Sequence, residues 1–323
     1  MEGSKLEQKD MAVKPLRSFR KKKWAKINRS VAGSLLFVHL LCIFAPFHFN
    51  WSAFWVAFVL YVITGLFGIS VSYHRNLAHR SFNLPKWLEY LFAYCGVHAL
   101  QGDPIGWVKI HRCHHRFVDT EKDPHSPIQG FLFSHVTWLL DSYVLTEKVG
   151  PKYFDDYEKI ERNVVMVNMK QGRPENNVGD LEKQAFYRFL RKTYFLHLLL
   201  LAVLLYAMGG VPFLIWGMGV RIVVVLHITF MVNSVCHIWG KQLWKTNDLS
   251  TNNWLVGLLG FGEGWHNNHH AFEYSARHGL EWWEIDFGWY VIMFLQAIGV
   301  ATHVKVPLQH HKKKLAMDET KFI

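Results

Sequence analysis

The amino-acid sequence predicts an all-α integral membrane protein: four transmembrane helices with a cytosolic helical cap that carries a histidine-rich site. Three observations predict it. The 323 residues hold two pairs of long apolar runs. Basic residues gather on one side of those runs. The histidines, 20 in all, concentrate in short clusters that the same topology brings to that side.

The chain begins with a basic cytosolic segment over 1–29, which holds ten Lys and Arg, including "RKKKWAK" at 20–26. Val31–Phe49 and Trp51–Val71 follow as uncharged runs, each near the roughly 20 residues that a helix needs to cross a bilayer. A second pair lies at Tyr194–Met208 and Val211–Cys236. Leu88–Leu100 is apolar but too short to span, and suits a re-entrant or interfacial helix. The connectors "APFHFN" and "MGGVP" carry no Lys or Arg, so they are the lumenal hairpins, and both termini and the 72–192 region are cytosolic. The spans therefore run over about 31–49, 51–71, 194–208 and 211–236, inside one domain of 30–307 with a tail at 308–323. Arg221 interrupts the fourth run; a charge there faces the bundle interior or snorkels to the surface.

The net charge of +11 is mostly flanking charge of this kind. It suits anionic lipid and an acidic protein partner, and its placement beside membrane runs excludes nucleic acid as a partner. Cys42, Cys95, Cys113 and Cys236 show no paired spacing, so neither a disulfide framework nor a thiolate metal site is expected. No cleavable signal peptide is expected, because the first apolar run starts near residue 31 and is long enough to span. Early acidic residues argue against a plastid transit peptide.

Nine histidines form a pattern. His74 and His79 stand in "HRNLAH", just past the second run; His111, His114 and His115 in "HRCHH"; His237 at the end of the fourth run; and His266, His269 and His270 in "EGWHNNHH". The spacing H-x-x-H-H puts three imidazoles on one side of a helix, and neutral imidazole is a common ligand for Zn, Cu, Fe and Ni. Nine nitrogens exceed the four that a tetrahedral zinc takes. They suit two metal ions with room for a substrate oxygen, and thus a dinuclear membrane metalloenzyme that activates dioxygen at the bilayer surface. His39, His48, His197, His227, His303, His310 and His311 lack such company and are read as ordinary polar side chains. His125, flanked by prolines in "DPHSP", is read as shaping a turn, and His278 in "SARHG" as a hydrogen-bonded structural residue.

These stretches, with "GLFGISVSYHRNLAHRSFNLPKWLEY", "QGDPIGWVKIHRCHHRFVDTEKDPHSP" and "FGEGWHNNHHAFEYSARHGLEWWEID", resemble the membrane fatty acid desaturases of the acyl-CoA Δ9 type, particularly their plant branch. The resemblance runs from about Trp24 to Pro307. It implies two iron ions held directly by His74, His79, His111, His114, His115, His237, His266, His269 and His270, with Asn233 reaching a metal through water. It implies Glu263 and Asp119 as residues that orient imidazole N–H groups. It implies O2 as co-substrate and removal of two hydrogens from a fatty acyl chain, borne on CoA or on a lipid, to give a cis double bond. Gln101 and Trp107 would sit near the bend of an acyl tunnel, and Lys109 would contact an acyl-carrier phosphate. With no "HPGG" haem motif in the chain, the resemblance calls for a separate electron donor, cytochrome b5 with its reductase, and an endoplasmic reticulum membrane, with a plastid membrane as the alternative address. Ile110 departs from the acidic residue usual beside the second box in animal acyl-CoA enzymes, which leaves the substrate carrier open. Alternatives are a Δ7 acyl-lipid desaturase and a di-iron hydroxylase. From a different class come a zinc transporter or hydrolase, which would need ligands along a path within the spans.

Overall fold

The structure, a computed structural model, describes residues 26–141, 145, 148–149 and 177–317. Most of the basic 1–29 segment, part of the expected cytosolic region and the last residues of the tail lie outside the described residues. Those that are described are helical, with isolated bridges such as Asn83 to Thr302 and no strand.

Helix α1 spans Lys26–Ile43 and α2 spans Trp51–Ala78. The start of α2 is set by Asn50, whose side chain accepts from Ala53 N at 2.8 Å, supplying one of the partners that a helix N-terminus lacks. Helix α3 covers Lys86–Val97 and α4 covers Pro104–Phe117. Asp103 caps α4 by accepting from the Ile105 and Gly106 amides, with Pro104 in the first turn, where its missing N–H costs nothing. The short α5 (Phe131–His135) and α6 (Ala185–Lys192) follow.

A long apolar helical stretch runs over Tyr194–His237, and with α2 it is one of two among the described residues long and apolar enough to cross a membrane. It is not straight. Gly209 (φ −150°, ψ 15°) and Gly210 (φ 65°, ψ −151°) leave helical geometry, the second in a region open to glycine, and Pro212 follows. A Cβ on Gly217 would lie 2.6 Å from Leu205 Cδ1, whereas an unbroken helix would hold those residues about 18 Å apart. The chain therefore doubles back, giving α7 (194–208) and α8 (211–237). Helix α1 lies against α8 closely enough that a Cβ on Gly219 would meet Leu41 Cβ at 2.8 Å.

Arg221 turns inward and is 1% exposed. Its guanidinium donates to the Gly217 and His98 carbonyls, which meets the cost of burying a charge with hydrogen bonds. Between α2 and α3 the backbones nearly touch at Gly68 and Gly96, and a Cβ on Gly68 would fall 2.5 Å from Gly96 N. That close approach holds one face of α3 against α2, with Trp87 and Leu91 left exposed on the other. Later in the chain come α9 (Trp254–Leu259), α10 (His266–Ala271), α11 (Phe287–Ala297) and α12 (Gln309–Leu315). The four cysteines are free.

Candidate metal centre

The first histidine pair depends on an unusual helix. From Val62 to Ala78, α2 widens to i→i+5 bonding, ending with His79 N–H donating to the His74 carbonyl at 3.1 Å. The wider turn brings residues five apart toward the same side. An ordinary α-helix would point them about 140° apart. His74 and His79 consequently face each other, ring centroids 4.8 Å apart.

All nine expected histidines meet, in two groups. One holds His74, His79, His111, His115 and His269; the other holds His114, His237, His266 and His270, and within each group the ligand atoms lie within 4.8 Å of one another. Each H-x-x-H-H motif is split in the same way. The i and i+4 rings join one group and the i+3 ring crosses to the other: His111 and His115 against His114, and His266 and His270 against His269. The motif thus links two sites rather than filling one.

Buried carboxylates orient the rings. His74 Nδ1 contacts Glu263, His114 Nδ1 donates to Asp123 at 2.9 Å, His237 Nδ1 to Asp119 at 3.1 Å and His270 Nδ1 to Asp248 at 2.9 Å. Each such bond places the proton on Nδ1 and leaves Nε2 with its lone pair facing the group. Three of them, on His74, His237 and His270, meet a ring whose own Nδ1 has no hydrogen-bond partner: His266 Nε2 lies 3.0 Å from both His237 and His270 Nε2, and His269 Nε2 lies 3.1 Å from His74 and 3.0 Å from His115. His266 has one ring proton for two such contacts, so lone pairs are left facing one another, and a cation between them reverses the sign. The donor set therefore fits one metal ion in each group, with imidazole favouring a first-row transition metal.

Electrostatics agree. Burial first, and neighbouring imidazoles second, push His111, His114, His266, His269 and His270 well below the usual histidine range, which keeps them in the neutral, ligating form. Burial alone would raise the Glu263 carboxyl, but His74, His278 and Arg75 outweigh it and hold it well below the usual carboxylate range. Arg75 is fully buried and ties Glu263, at 3.1 Å, to Asp286, at 2.9 Å. Gly262 permits this packing, since a Cβ there would sit 2.3 Å from Asp286 Oδ1 and 2.9 Å from Arg75 Nη2.

Glu263 and Asp119 are residues that the family resemblance implies; Asp123 and Asp248 are not. Asp123 follows the second box within "DTEKDPH", and Asp248 lies in the polar run "TNDLSTNN". Acids near histidine boxes were the available signal, though nothing in their spacing says which ring each one serves. Asn267 and Asn268 also hold the third box: Asn267 Oδ1 accepts from Leu243 and Trp244 N, and Asn268 Oδ1 accepts from Trp244 Nε1 at 2.7 Å. His278 differs from expectation. It is buried, 3.7 Å from Glu263, and neither ring nitrogen has a hydrogen-bond partner. His125 is buried in its turn against His114, ring centroids 4.4 Å apart.

An apolar cavity opens from the metal groups between α2 and α8. Trp107, Val225, Thr229, Asn233, Phe261 and Tyr61 line it, along with His74, His111, His114 and His266. Trp107 Nε1 donates to Gln101 Oε1 at 3.1 Å, and Gln101 Nε2 donates to Thr229 Oγ1 at 2.8 Å, so Gln101 braces the wall from behind. Lys109 is 9% exposed and is not among the lining residues.

A fatty acid desaturase family model matches residues 49–293. The chain is 58% identical over 295 residues to the palmitoyl-monogalactosyldiacylglycerol delta-7 desaturase, chloroplastic, of Arabidopsis thaliana, covering 91% of this chain and 73% of that protein. It is 53% identical over 298 residues to the acyl-CoA C20 Delta5-desaturase of Anemone leveillei, covering 91% and 87%. To the Delta-9 acyl-lipid desaturase 1 of Arabidopsis thaliana it is 50% identical over 301 residues, covering 93% and 91%.

Proposed function

Since the chain belongs to the fatty acid desaturase family, we propose that it introduces a cis double bond at the Δ9 position of a saturated acyl chain, with O2 and two external electrons. The observation that carries this reading is a pair of imidazole groups, five and four rings strong, at the head of an apolar cavity. Two iron ions are the proposed cofactors, held by the nine histidines with Asn233 acting through water, and they supply the oxidising power that no side chain has. Glu263, Asp119, Asp123 and Asp248 keep the rings in the ligating tautomer. Trp107 and Phe261 shape the channel that positions the acyl carbons, Gln101 holds Trp107, and Lys109 is the proposed contact for a carrier phosphate. The apolar wall excludes water from the reacting carbons.

In this reading α1, α2, α7 and α8 cross the bilayer, with the termini and the histidine cap on the cytosolic side of the endoplasmic reticulum. A plastid membrane is the alternative, favoured by the chloroplastic relative. The electron donor is cytochrome b5 with its reductase, attracted by the basic character of the chain. The 58% identity to a delta-7 desaturase of a galactolipid supports a second reading, Δ7 on an acyl-lipid. A hydroxylase on the same scaffold is a third outcome.

Expression in a desaturase-deficient yeast, with mass spectrometry of double-bond position and metal analysis of the purified protein, tests these readings together. Δ9 monoenes and bound iron are expected. Δ7 products select the second reading and hydroxylated chains the third. Zinc without iron, and no product, overturns all of them.

A further inference from the structure

Three histidines outside the metal groups form a chain of their own. His39 on α1 lies with Nε2 3.0 Å from Nε2 of His227 on α8. His227 Nδ1 lies 3.1 Å from Nε2 of His135 on α5, and His135 Nδ1 lies 2.9 Å from Ser234 Oγ, back on α8. At the far end His39 Nδ1 is 2.7 Å from the Leu35 carbonyl. Phe131 stacks on His135 at 5.3 Å, and Phe230 meets the rings of His135 and His227 edge-on.

Counting hydrogens gives this chain a direction. A carbonyl only accepts, so His39 carries its proton on Nδ1 and accepts at Nε2. His227 must then donate from Nε2 and accept at Nδ1. His135 in turn donates from Nε2 and accepts at Nδ1 from the Ser234 hydroxyl. Four contacts use the three protons of neutral imidazoles and one hydroxyl hydrogen, with none left over. The Ser234 hydroxyl also donates to the Phe230 carbonyl at 2.8 Å, so its one hydrogen is shared between the helix ladder and His135.

Ser234 lies between Asn233 and His237 at the end of α8, whose preceding turns contribute Val225, Thr229 and Asn233 to the cavity wall. We propose that His39, His227 and His135 are positioning residues, a directed imidazole chain that anchors the end of α8 against α1 and α5 and so sets the register of Asn233 and His237. The proposal rests on the desaturase reading for its consequence, since the register matters through the metal that those two residues would hold. The imidazole chain gives helices that do not themselves touch the histidine groups polar contacts to α8 in addition to the apolar packing of Val38, Ile222, Leu226 and Phe230, and directed polar contacts fix rotation as well as separation.

Two measurements on the full-length protein test it. In 15N-histidine spectra of the metal-free protein, the signal lost in His39→Gln should be an Nδ1–H tautomer, and those lost in His227→Gln and His135→Gln should be Nε2–H tautomers. Any other pattern overturns the chain, whatever metal the protein binds. In iron-loaded protein challenged with a ferrous chelator, His39→Leu should release one iron about tenfold faster, the other unchanged. His39→Gln, whose Oε1 can accept from His227, should stay near the unsubstituted rate. Equal behaviour of the two variants, or parallel loss of both irons, overturns the positioning role. Unsubstituted protein that holds no iron and forms no unsaturated product defeats the desaturase reading instead, while the tautomer result still decides the chain.

Discussion

His115 and His270 stack nearly face to face, ring centroids 4.6 Å apart and planes 29° apart, yet they belong to different histidine groups. The two groups are therefore next-door sites with a shared imidazole wall, the arrangement needed if two metals are to act on one dioxygen.

Because the groups share a wall but no ligand, single substitutions should separate them. His270→Ala and His269→Ala should each abolish product, while bound iron falls from about two to about one per chain rather than to zero. Metal analysis of the two purified variants checks this; complete loss of iron in both would show one cooperative site instead.

Asp248 serves His270 from outside the group. Asp248→Asn keeps the size but weakens the hold on the ring, and should lower metal affinity about 10–100-fold in the four-histidine group alone. A competitive chelator titration would read the loss in that group against an unchanged affinity in the five-histidine group.

Arg75 bridges Glu263 and Asp286 in full burial. Removing one partner of a buried ion pair strands the other charges, so Arg75→Met should cost about 3–5 kcal/mol. The thermal midpoint of the detergent-solubilised protein should fall clearly; an unchanged midpoint would mean that Glu263 and Asp286 are held by their other bonds.

The pH dependence has a definite sign. His111, His114, His266, His269 and His270 have folded pKa values below the unfolded one, so the unfolded chain binds more protons and stability rises with pH. The metal-free protein should lose stability as pH falls through about 6.5, and the loaded protein should release metal over the same range. Melting curves at neutral and mildly acid pH read both effects, and a flat profile contradicts the burial of neutral rings.

Gly68 tests the packing that carries the first box. An added methyl would lie 2.5 Å from Gly96 N and 2.6 Å from its Cα, backbone that cannot step aside. Gly68→Ala should therefore cost about 1–3 kcal/mol and shift His74 along with α2. Loss of thermal stability together with weaker metal binding is the expected pair of results.

Much of this protein was legible in its sequence. The apolar runs predict helices and the spacing of nine clustered histidines predicts that they converge, because ligand chemistry and local spacing are properties of residue type; Glu263 and Asp119 were implied only by the family resemblance, and they lie against His74 and His237. The Gly209–Gly210 break was legible as a connector between two runs for the same reason.

The tertiary structure alone decided the rest. Whether His114 joins His111 or crosses to His237 depends on how α4, α8 and α10 are set against one another, and no local pattern encodes that angle. The widening of α2 that brings His74 to His79 depends on hydrogen bonds traded one residue along. Pairing Asp123 with His114 and Asp248 with His270, and joining His39, His227 and His135 into one chain, requires contacts between segments distant in sequence. Residue type determined which atoms can bind a metal or carry a proton; packing determined which of them meet.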